Sequence, residues 1–240
     1  CDATYDVMPV YNGKAFCYER HLQRFKNSVE RYGLTIPDVD PLEIIKELAK
    51  RNPINNAFVW FLAWRGYPPS GNPRDLENCP VNFAMYIKPS YPIGASPIIN
   101  IALDETTNRV SDEYYGQEYK NMAWIELTMS QRNRPAGADT TVLVDVDGHV
   151  TEGPGFNVGI VIDGNVYTAD KNVLKGITMS VVEDIVELTR CPITKKDFLE
   201  ADEVFITSSS GGITATQRSG PVTKMLIEQY EKKKEHGTLL

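Results

Sequence analysis

Residues 4–10 alternate loosely and are rich in β-formers, and Asn12-Gly13 follows as a hairpin dipeptide. This pattern predicts a strand, a tight turn and a returning strand over residues 15–18. Over residues 21–32 the period becomes helical. Leu22, Phe25, Val29 and Tyr32 recur on one side, and Gly33 stands where a helix can end. Arg24 lies roughly 100° from the centre of that stripe, at ~100° per residue, so it runs along the helix flank. A second helix is predicted over 41–51, with Leu42, Ile45, Leu48 and Ala49 inward and Pro41 at its start. Residues 56–64 read as a strand with Phe58, Trp60 and Leu62 on one face and Val59, Phe61 and Ala63 on the other. Gly, Pro, Ser and Asn crowd residues 66–80, which predicts a long loop, and 82–87 reads as a further strand.

Three prolines and a glycine within 89–97 mark an interdomain linker, placed at 90–97. It separates a first domain over 1–89 from a second over 98–240. In the second, 98–103 reads as a strand. Val142, Val144 and Val146 alternate before Asp147-Gly148, and strands over 158–162 and 165–168 flank Asp163-Gly164. Asp-Gly between alternating runs predicts antiparallel hairpins. Residues 177–188 read as an amphipathic helix carrying Val181, Ile185 and Leu188 on one side; 204–206 is a short buried strand and 221–235 a final helix. The fold class is α/β, in a two-domain α+β arrangement.

The chain has 240 residues, 42% hydrophobic and 24% charged, with a net charge of −7. That balance argues against a general nucleic-acid surface. The cysteines at 1, 17, 79 and 191 are scattered, without a Cys-x-x-Cys pair, and the three histidines lack metal-finger spacing. No metal site is expected, and reduced thiols in a cytoplasmic protein are. No apolar run approaches the ~20 residues of a membrane span.

Four motifs carry the chemistry. They are Lys120-Asn121-x-x-Trp124, Glu152-Gly153-x-Gly155, Gly176-Ile177-Thr178, and Ala201-Asp202-Glu203-Val204-Phe205 leading to Ser208-Ser209-Ser210. Alone, each has an ordinary reading: a surface lysine, a strand-edge glutamate, a helix N-cap, a loop serine. In this order they resemble the signature of fold-type IV pyridoxal 5′-phosphate enzymes, the family of branched-chain and D-amino acid aminotransferases. The Lys-Asn-x-x-Trp form, with Thr4-Tyr5-Asp6-Val7, is more similar to the (R)-selective amine transaminase branch. The resemblance implies a small first domain of sheet and helices, a larger second domain with a barrel-like, mostly antiparallel β core, and a homodimer. It also implies that the natural chain extends further at its start, since Cys1 falls inside a motif, and that 189–192 and 217–220 are short against relatives.

The resemblance assigns Lys120 as the amine that joins the cofactor through a Schiff base. Glu152 becomes the carboxylate that keeps the pyridine nitrogen protonated. Arg24, in His21-Leu22-x-Arg24-Phe25, becomes the phosphate cation, with a fork to two oxygens, and His21 is structural. Gly176, Ile177, Thr178 and Ser209 are the remaining phosphate contacts. These roles suit the chemistry: a desolvated lysine near cations loses its proton more easily, and a helix start offers N–H groups to an anion. Branched-chain enzymes carry an arginine where Trp60 stands and a tyrosine where Ile125 stands. Without a fixed carboxylate clamp, the donor is expected to be an (R)-configured amine lacking a carboxylate, with an α-keto acid such as pyruvate as acceptor. Tyr5, Val7, Phe58 and Trp60 would form an apolar pocket, and loop residue Arg74 would engage the acceptor's carboxylate, with Lys88 and Arg65 as competing cations. Other readings stay open: an α-amino acid aminotransferase of branched-chain or D-amino acid type, an aminodeoxychorismate lyase type, or a non-catalytic cofactor-binding module.

Overall fold

Asn12 and Gly13 adopt φ of 50° and 74°, the left-handed values a two-residue hairpin demands. In the computed structural model, which describes residues 2–52, 55–90 and 98–240, they join β1 (Ala3–Tyr11) to β2 (Lys14–Ala15). The returning strand is shorter than the pattern predicts. Cys17 turns into the left-handed region at φ 51°, and α1 (Tyr18–Arg31) starts there, with Glu19 in its first turn. Gly33, at φ 58°, closes the helix: its N–H donates to Glu30 O, and that of Leu34 to Val29 O. α2 (Pro41–Arg51) begins where Pro41 predicts, and the Asp40 carboxylate caps it by accepting from Leu42 N.

β3 (Ala57–Arg65) lies between β1 and β4 (Val81–Pro89), antiparallel to both, with Val7 opposite Trp60 and Trp60 opposite Tyr86. Opposed residues share a face. Met8, Val10, Val59, Phe61 and Ala63 therefore pack on Phe25 and Val29 of α1 and Ile45 of α2. Tyr5, Val7, Phe58, Trp60 and Tyr86 line the other face. Each large side chain buried contributes about 1.5–3 kcal/mol. A one-residue slip would exchange the two faces, so that burial also sets the register.

The chain continues through β5 (Ile101–Asn108), α3 (Asp112–Tyr115), α4 (Ile125–Arg132), β6 (Thr140–Val144), β7 (His149–Val150), β8 (Glu152–Gly153), β9 (Phe156–Ile162) and β10 (Asn165–Thr168). Then follow α5 (Ile177–Glu183), β11 (Leu188–Arg190), β12 (Ile193–Thr194), α6 (Lys195–Glu200), β13 (Glu203–Ser208), β14 (Gly212–Ala215) and α7 (Pro221–Lys233). One sheet runs β11-β10-β9-β13-β14, with β8 beside β9; another runs β12-β7-β6-β5. Pairing is antiparallel except for β5 with β6 and β10 with β11. Val142, Val144, Val158, Ile160 and Val204, drawn from both sheets, meet in one core. The last strand, β15 (Thr238–Leu239), pairs with β2.

Three expectations are corrected. α5 ends at Glu183, and Leu188 begins β11 instead of continuing a helix. The β-branched run around Val181, Val182, Ile185 and Val186 is a poor helix former, and the free edge of β10 takes Leu188 opposite Val166. Val146 leaves its alternating strand and is 70% exposed. There the Asp145 carboxylate accepts from Asp147 N and His149 N and shapes a turn. The strand expected at 98–103 is β5, which starts at Ile101 and runs on to Asn108.

The described chain forms two compact units, one of Cys1–Pro92, Tyr119–Ala123 and Glu235–Leu240, the other of Ile93–Glu118 and Trp124–Lys234. The segment holding Lys120 and the C-terminal residues thus belong with the first sheet, where the sequence reading ran one domain from 98 to the end. Most of the predicted linker, residues 91–97, lies outside the described residues. Cys17, Cys79 and Cys191 are free thiols. Among the described residues no helix is long and apolar enough to cross a membrane.

α7 lacks an N-cap side chain of its own. Glu203 of β13 replaces it, accepting from the N–H groups of Gly220, Val222 and Thr223. Burial alone would raise the Glu203 carboxyl, but those donors outweigh it and hold it below the usual carboxylate range. Its stabilisation is therefore complete above the ordinary carboxylate pKa of about 4 and is lost as pH falls through the lower folded value. Glu203→Ala is expected to cost about 1–3 kcal/mol at pH 7. Urea unfolding should show the gap to wild type narrowing below about pH 4.

Candidate active site

Beyond Val10–Tyr11, β2 leaves the outer edge of β1 open. Residues 119–123 occupy that edge: Asn121 bridges to Thr4, Met122 N–H donates to Ala3 O, and Thr4 Oγ1 donates to Lys120 O at 2.6 Å. Lys120 N–H reaches Ser28 Oγ of α1 at 3.2 Å. Asn121 braces the turn, with Oδ1 accepting from Ala123 N and Nδ2 donating to Tyr119 O and Tyr32 Oη. That is a local reason for asparagine after the lysine.

The half-buried Lys120 places Nζ 4.5 Å from the centre of the Tyr5 ring. Tyr5 stacks on Trp60 at 5.4 Å and 16°, and Trp60 stacks on Tyr86 at 5.6 Å and 10°. A row of three rings thus crosses the sheet face, with an amine at one end. Val7 and Phe58 share this face. Arg74 lies elsewhere, exposed in the 66–80 loop, its backbone N–H on Asn72 Oδ1.

On the opposite side of β1, Asp6 is fully buried. Arg24 Nε and Nη2 donate to its two oxygens, both at 2.8 Å, and His21 Nδ1 lies 2.7 Å from Oδ1. The fork that the sequence reading gave to a phosphate is made to Asp6. Burial would raise the Asp6 carboxyl, but Arg24 and His21 outweigh it and hold it far below the usual range. Burial lowers the His21 pKa, and Arg24 and Lys120 lower it further against the pull of Asp6, so the imidazole stays neutral near pH 7. Sequence reasoning missed Asp6 as a partner, although alternation along β1 puts it on the core face with Met8, where an isolated carboxylate needs a cation.

In the second unit, Glu152 is 5% exposed. Its Oε1 accepts from Arg109 Nε and Nη2 at 3.1 and 2.7 Å; its Oε2 accepts from Asn157 Nδ2 and Leu174 N at 3.1 and 3.0 Å. Arg109 Nη1 donates to Glu126 of α4. Neither Arg109 nor Glu126 was foreseen: α4 is short and carries no clear amphipathic signal. The glycines of the Glu-Gly-x-Gly motif have separate causes. A Cβ at Gly153 would sit 2.4 Å from Thr141 O, while Gly155 holds φ at 87° against Trp124.

Thr178 is not the N-cap of α5. Gly176 is, without a side-chain cap, and Thr178 is buried one residue inside the helix. The first N–H groups of α5 are thus left without a capping side chain. Ser209 is half-buried in the turn after β13. On β13, Thr207 lies opposite Asn157 and has a buried hydroxyl with no hydrogen-bond partner among the described residues. Asn157 links the group: its Nδ2 donates to Glu152 and to Leu174 O, and its Oδ1 fills the space beside Gly176. A held carboxylate, an uncapped helix start and nearby hydroxyls fit a cofactor with a basic ring nitrogen and a phosphate.

The family model for amino-transferase class IV matches residues 3–218. The chain belongs to that family, and it is an aminotransferase that works with pyridoxal 5′-phosphate. It is 27% identical to a D-alanine aminotransferase of Listeria monocytogenes, over 95% of this chain and 86% of that one. It is 26% identical to a Methanocaldococcus jannaschii protein provisionally named a branched-chain-amino-acid aminotransferase, over 96% and 86%. The fold matches the branched-chain amino acid aminotransferase of Thermobaculum terrenum in its cofactor-bound form, with a TM-score of 0.86, 18% identity, and 97% and 85% of the two chains covered. It also matches the branched-chain aminotransferase of Thermoproteus uzoniensis with norvaline, with a TM-score of 0.83, 21% identity, and 96% and 84% covered.

Gly176 holds φ at −68°, open to any residue, so space and not backbone demands glycine. A Cβ there would lie 1.9 Å from Asn157 Oδ1. Gly176→Ala is expected to displace Asn157, loosen Glu152 and lower cofactor affinity roughly tenfold, about one charge-assisted hydrogen bond. Absorbance titration of the apoprotein with pyridoxal 5′-phosphate checks it.

Proposed function

We propose that this chain is a transaminase that takes the amino group from an (R)-configured amine lacking a carboxylate and passes it to an α-keto acid such as pyruvate. The observation that carries this reading is Trp60. It is stacked between Tyr5 and Tyr86, on a face of β3 that otherwise presents Phe58, Leu62 and Trp64. Such a face gives a donor's ring or alkyl group an apolar wall, and β3 itself adds no cation to it for a donor carboxylate; Lys88 of β4 stands at its end, opposite Phe58. The Lys-Asn-x-x-Trp form of the motif supports the same branch.

When bound, the cofactor supplies the electron sink, and the chain holds and tunes it. Lys120 would be the amine that carries it and would hold or move a proton at the substrate carbon. Glu152 keeps the ring nitrogen protonated. Arg24, braced by Asp6, supplies fixed positive charge to the phosphate. Gly176 and Ile177 at the uncapped start of α5, with the hydroxyls of Thr178 and Ser209, supply its hydrogen bonds.

The acceptor's carboxylate needs a cation. Arg65 is engaged, its Nη2 on Tyr32 O and its Nε on Asp2. Arg74, exposed on the long 66–80 loop, is the candidate, with Lys88, exposed on the Phe58 face, its competitor. The chain is also proposed to act as a homodimer. Ile125 and Met129, one turn apart on α4, are 75% and 44% exposed, apolar area that a second copy would cover. A second reading, an α-amino acid aminotransferase, draws on the names of the relatives reported above.

Paired kinetics decide between the two. (R)-1-Phenylethylamine with pyruvate should turn over, while leucine and D-alanine should be poor donors; the reverse order would establish the second reading. Arg74→Ala should raise KM for pyruvate about tenfold, one charge-assisted contact, and leave KM for the amine within error. Equal effects on both substrates would remove Arg74 from the acceptor site.

A further inference from the structure

Arg109 is a shared cation. It is 5% exposed and lies between two buried carboxylates, with Nε and Nη2 on Glu152 and Nη1 on Glu126. Glu152 also accepts from Asn157 and Leu174, so both its oxygens are already engaged within the chain. What Glu152 offers a ring nitrogen is therefore its negative charge more than a vacant lone pair. A guanidinium paired with Glu152 alone would cancel most of that charge and leave little to hold a proton on a neighbouring base. Glu126 draws on the same guanidinium from α4 and adds a second negative charge behind it. Both effects act in one direction.

We propose that Glu126 is a positioning residue that tunes the cofactor. By sharing Arg109 with Glu152, it keeps Glu152 negative enough to hold the proton on the ring nitrogen. This rests on the reading of Glu152 as the ring-nitrogen partner. Glu126 itself need touch neither cofactor nor substrate. Its carboxylate acts through Arg109, and any residue that accepts from Nη1 without a charge should preserve the packing and lose the effect. Removing one unit of negative charge a single side chain away should shift ring-nitrogen protonation downward by about one pH unit, the low end for a neighbouring charge.

The test is a spectroscopic one on holoenzyme reconstituted with cofactor labelled with ¹⁵N in the ring. Wild type should give a pyridinium signal at about pH 7.5. Glu126→Gln, which still accepts from Arg109, should move the signal toward neutral pyridine, lower kcat about tenfold and leave KM for the amine unchanged. Glu126→Asp should restore the wild-type signal. If Glu126→Gln does not fold, Glu126→Leu removes the charge with an apolar group and should give the same shift. A wild-type signal in the folded uncharged variant overturns the proposal. Glu152→Gln separates the two layers: if it moves the signal and Glu126→Gln does not, only Glu126 fails. If neither moves it, the assignment of Glu152 fails with it.

Discussion

An open strand edge is the constraint from which the site in the first unit follows. β1 is central to its sheet, yet β2 covers it on one side only at Val10 and Tyr11. Buried backbone groups must be paired, and the chain meets that need with residues 119–123, far away in sequence. Thr4, Ala3 and Ser28 hold that segment by its backbone. The segment is thus fixed through its main chain, and the Lys120 side chain is laid across Tyr5. On the reading of Lys120 as the cofactor's amine, such a mounting serves it, with a fixed main chain that places the nitrogen within reach of its partner.

Buried charge is handled alike in both units. Arg24 is matched to Asp6 with His21 beside it, and Arg109 to Glu152 with Glu126 behind it. A buried ion left alone costs several kcal/mol, so neither arginine could occupy its place without its carboxylate. The two clusters differ in surplus. The first pairs one guanidinium with one carboxylate and a neutral imidazole. The second sets one guanidinium between two carboxylates. Asn157 then ties the second cluster to the turn before α5, because one amide serves Glu152, Leu174 O and the space beside Gly176.

Much of the fold was legible because its signals are local. The Asn12-Gly13 and Asp163-Gly164 turns, the helix start at Pro41 and the alternation of β3 each depend on a few neighbouring residues, and each formed as read. Apart from Val146, turned out by its neighbour Asp145, the main misreadings share a cause in tertiary pairing. Leu188 left its helical period for the edge of β10, and residues 119–123 and 238–239 joined a sheet begun some hundred or more residues earlier. Among the candidate site residues, motif order proposed Lys120 and Glu152. The residues around Glu152, namely Arg109, Glu126 and Asn157, lay outside the motifs, because an ion pair between distant elements leaves no period in the chain. Asp6 alone gave a usable hint, as a carboxylate in the inward phase of a strand.

A transaminase meets two unlike partners in one place, and the architecture of the first unit bears on how. On the proposed reading, the donor is recognised by shape, and shape recognition rewards rigidity. The stacked row of Tyr5, Trp60 and Tyr86 is rigid in that sense. Each ring is held by its neighbour and by the sheet beneath, and the aromatic pairs contribute about 0.5–1.5 kcal/mol each beyond their buried area. The acceptor brings a carboxylate that this wall would repel, since desolvating a charge against aromatic faces without a cation is unfavourable. A fixed arginine in the wall would serve the acceptor and spoil the apolar surface for the donor. A cation that arrives from a loop resolves the conflict, because it can be present for one half of the cycle and absent for the other. The 66–80 loop joins β3 to β4, the two strands that carry Trp60 and Tyr86. On the proposed reading, the wall and the candidate cation Arg74 are parts of a single hairpin, so a change in one need not disturb the mounting of Lys120 at the far side of β1.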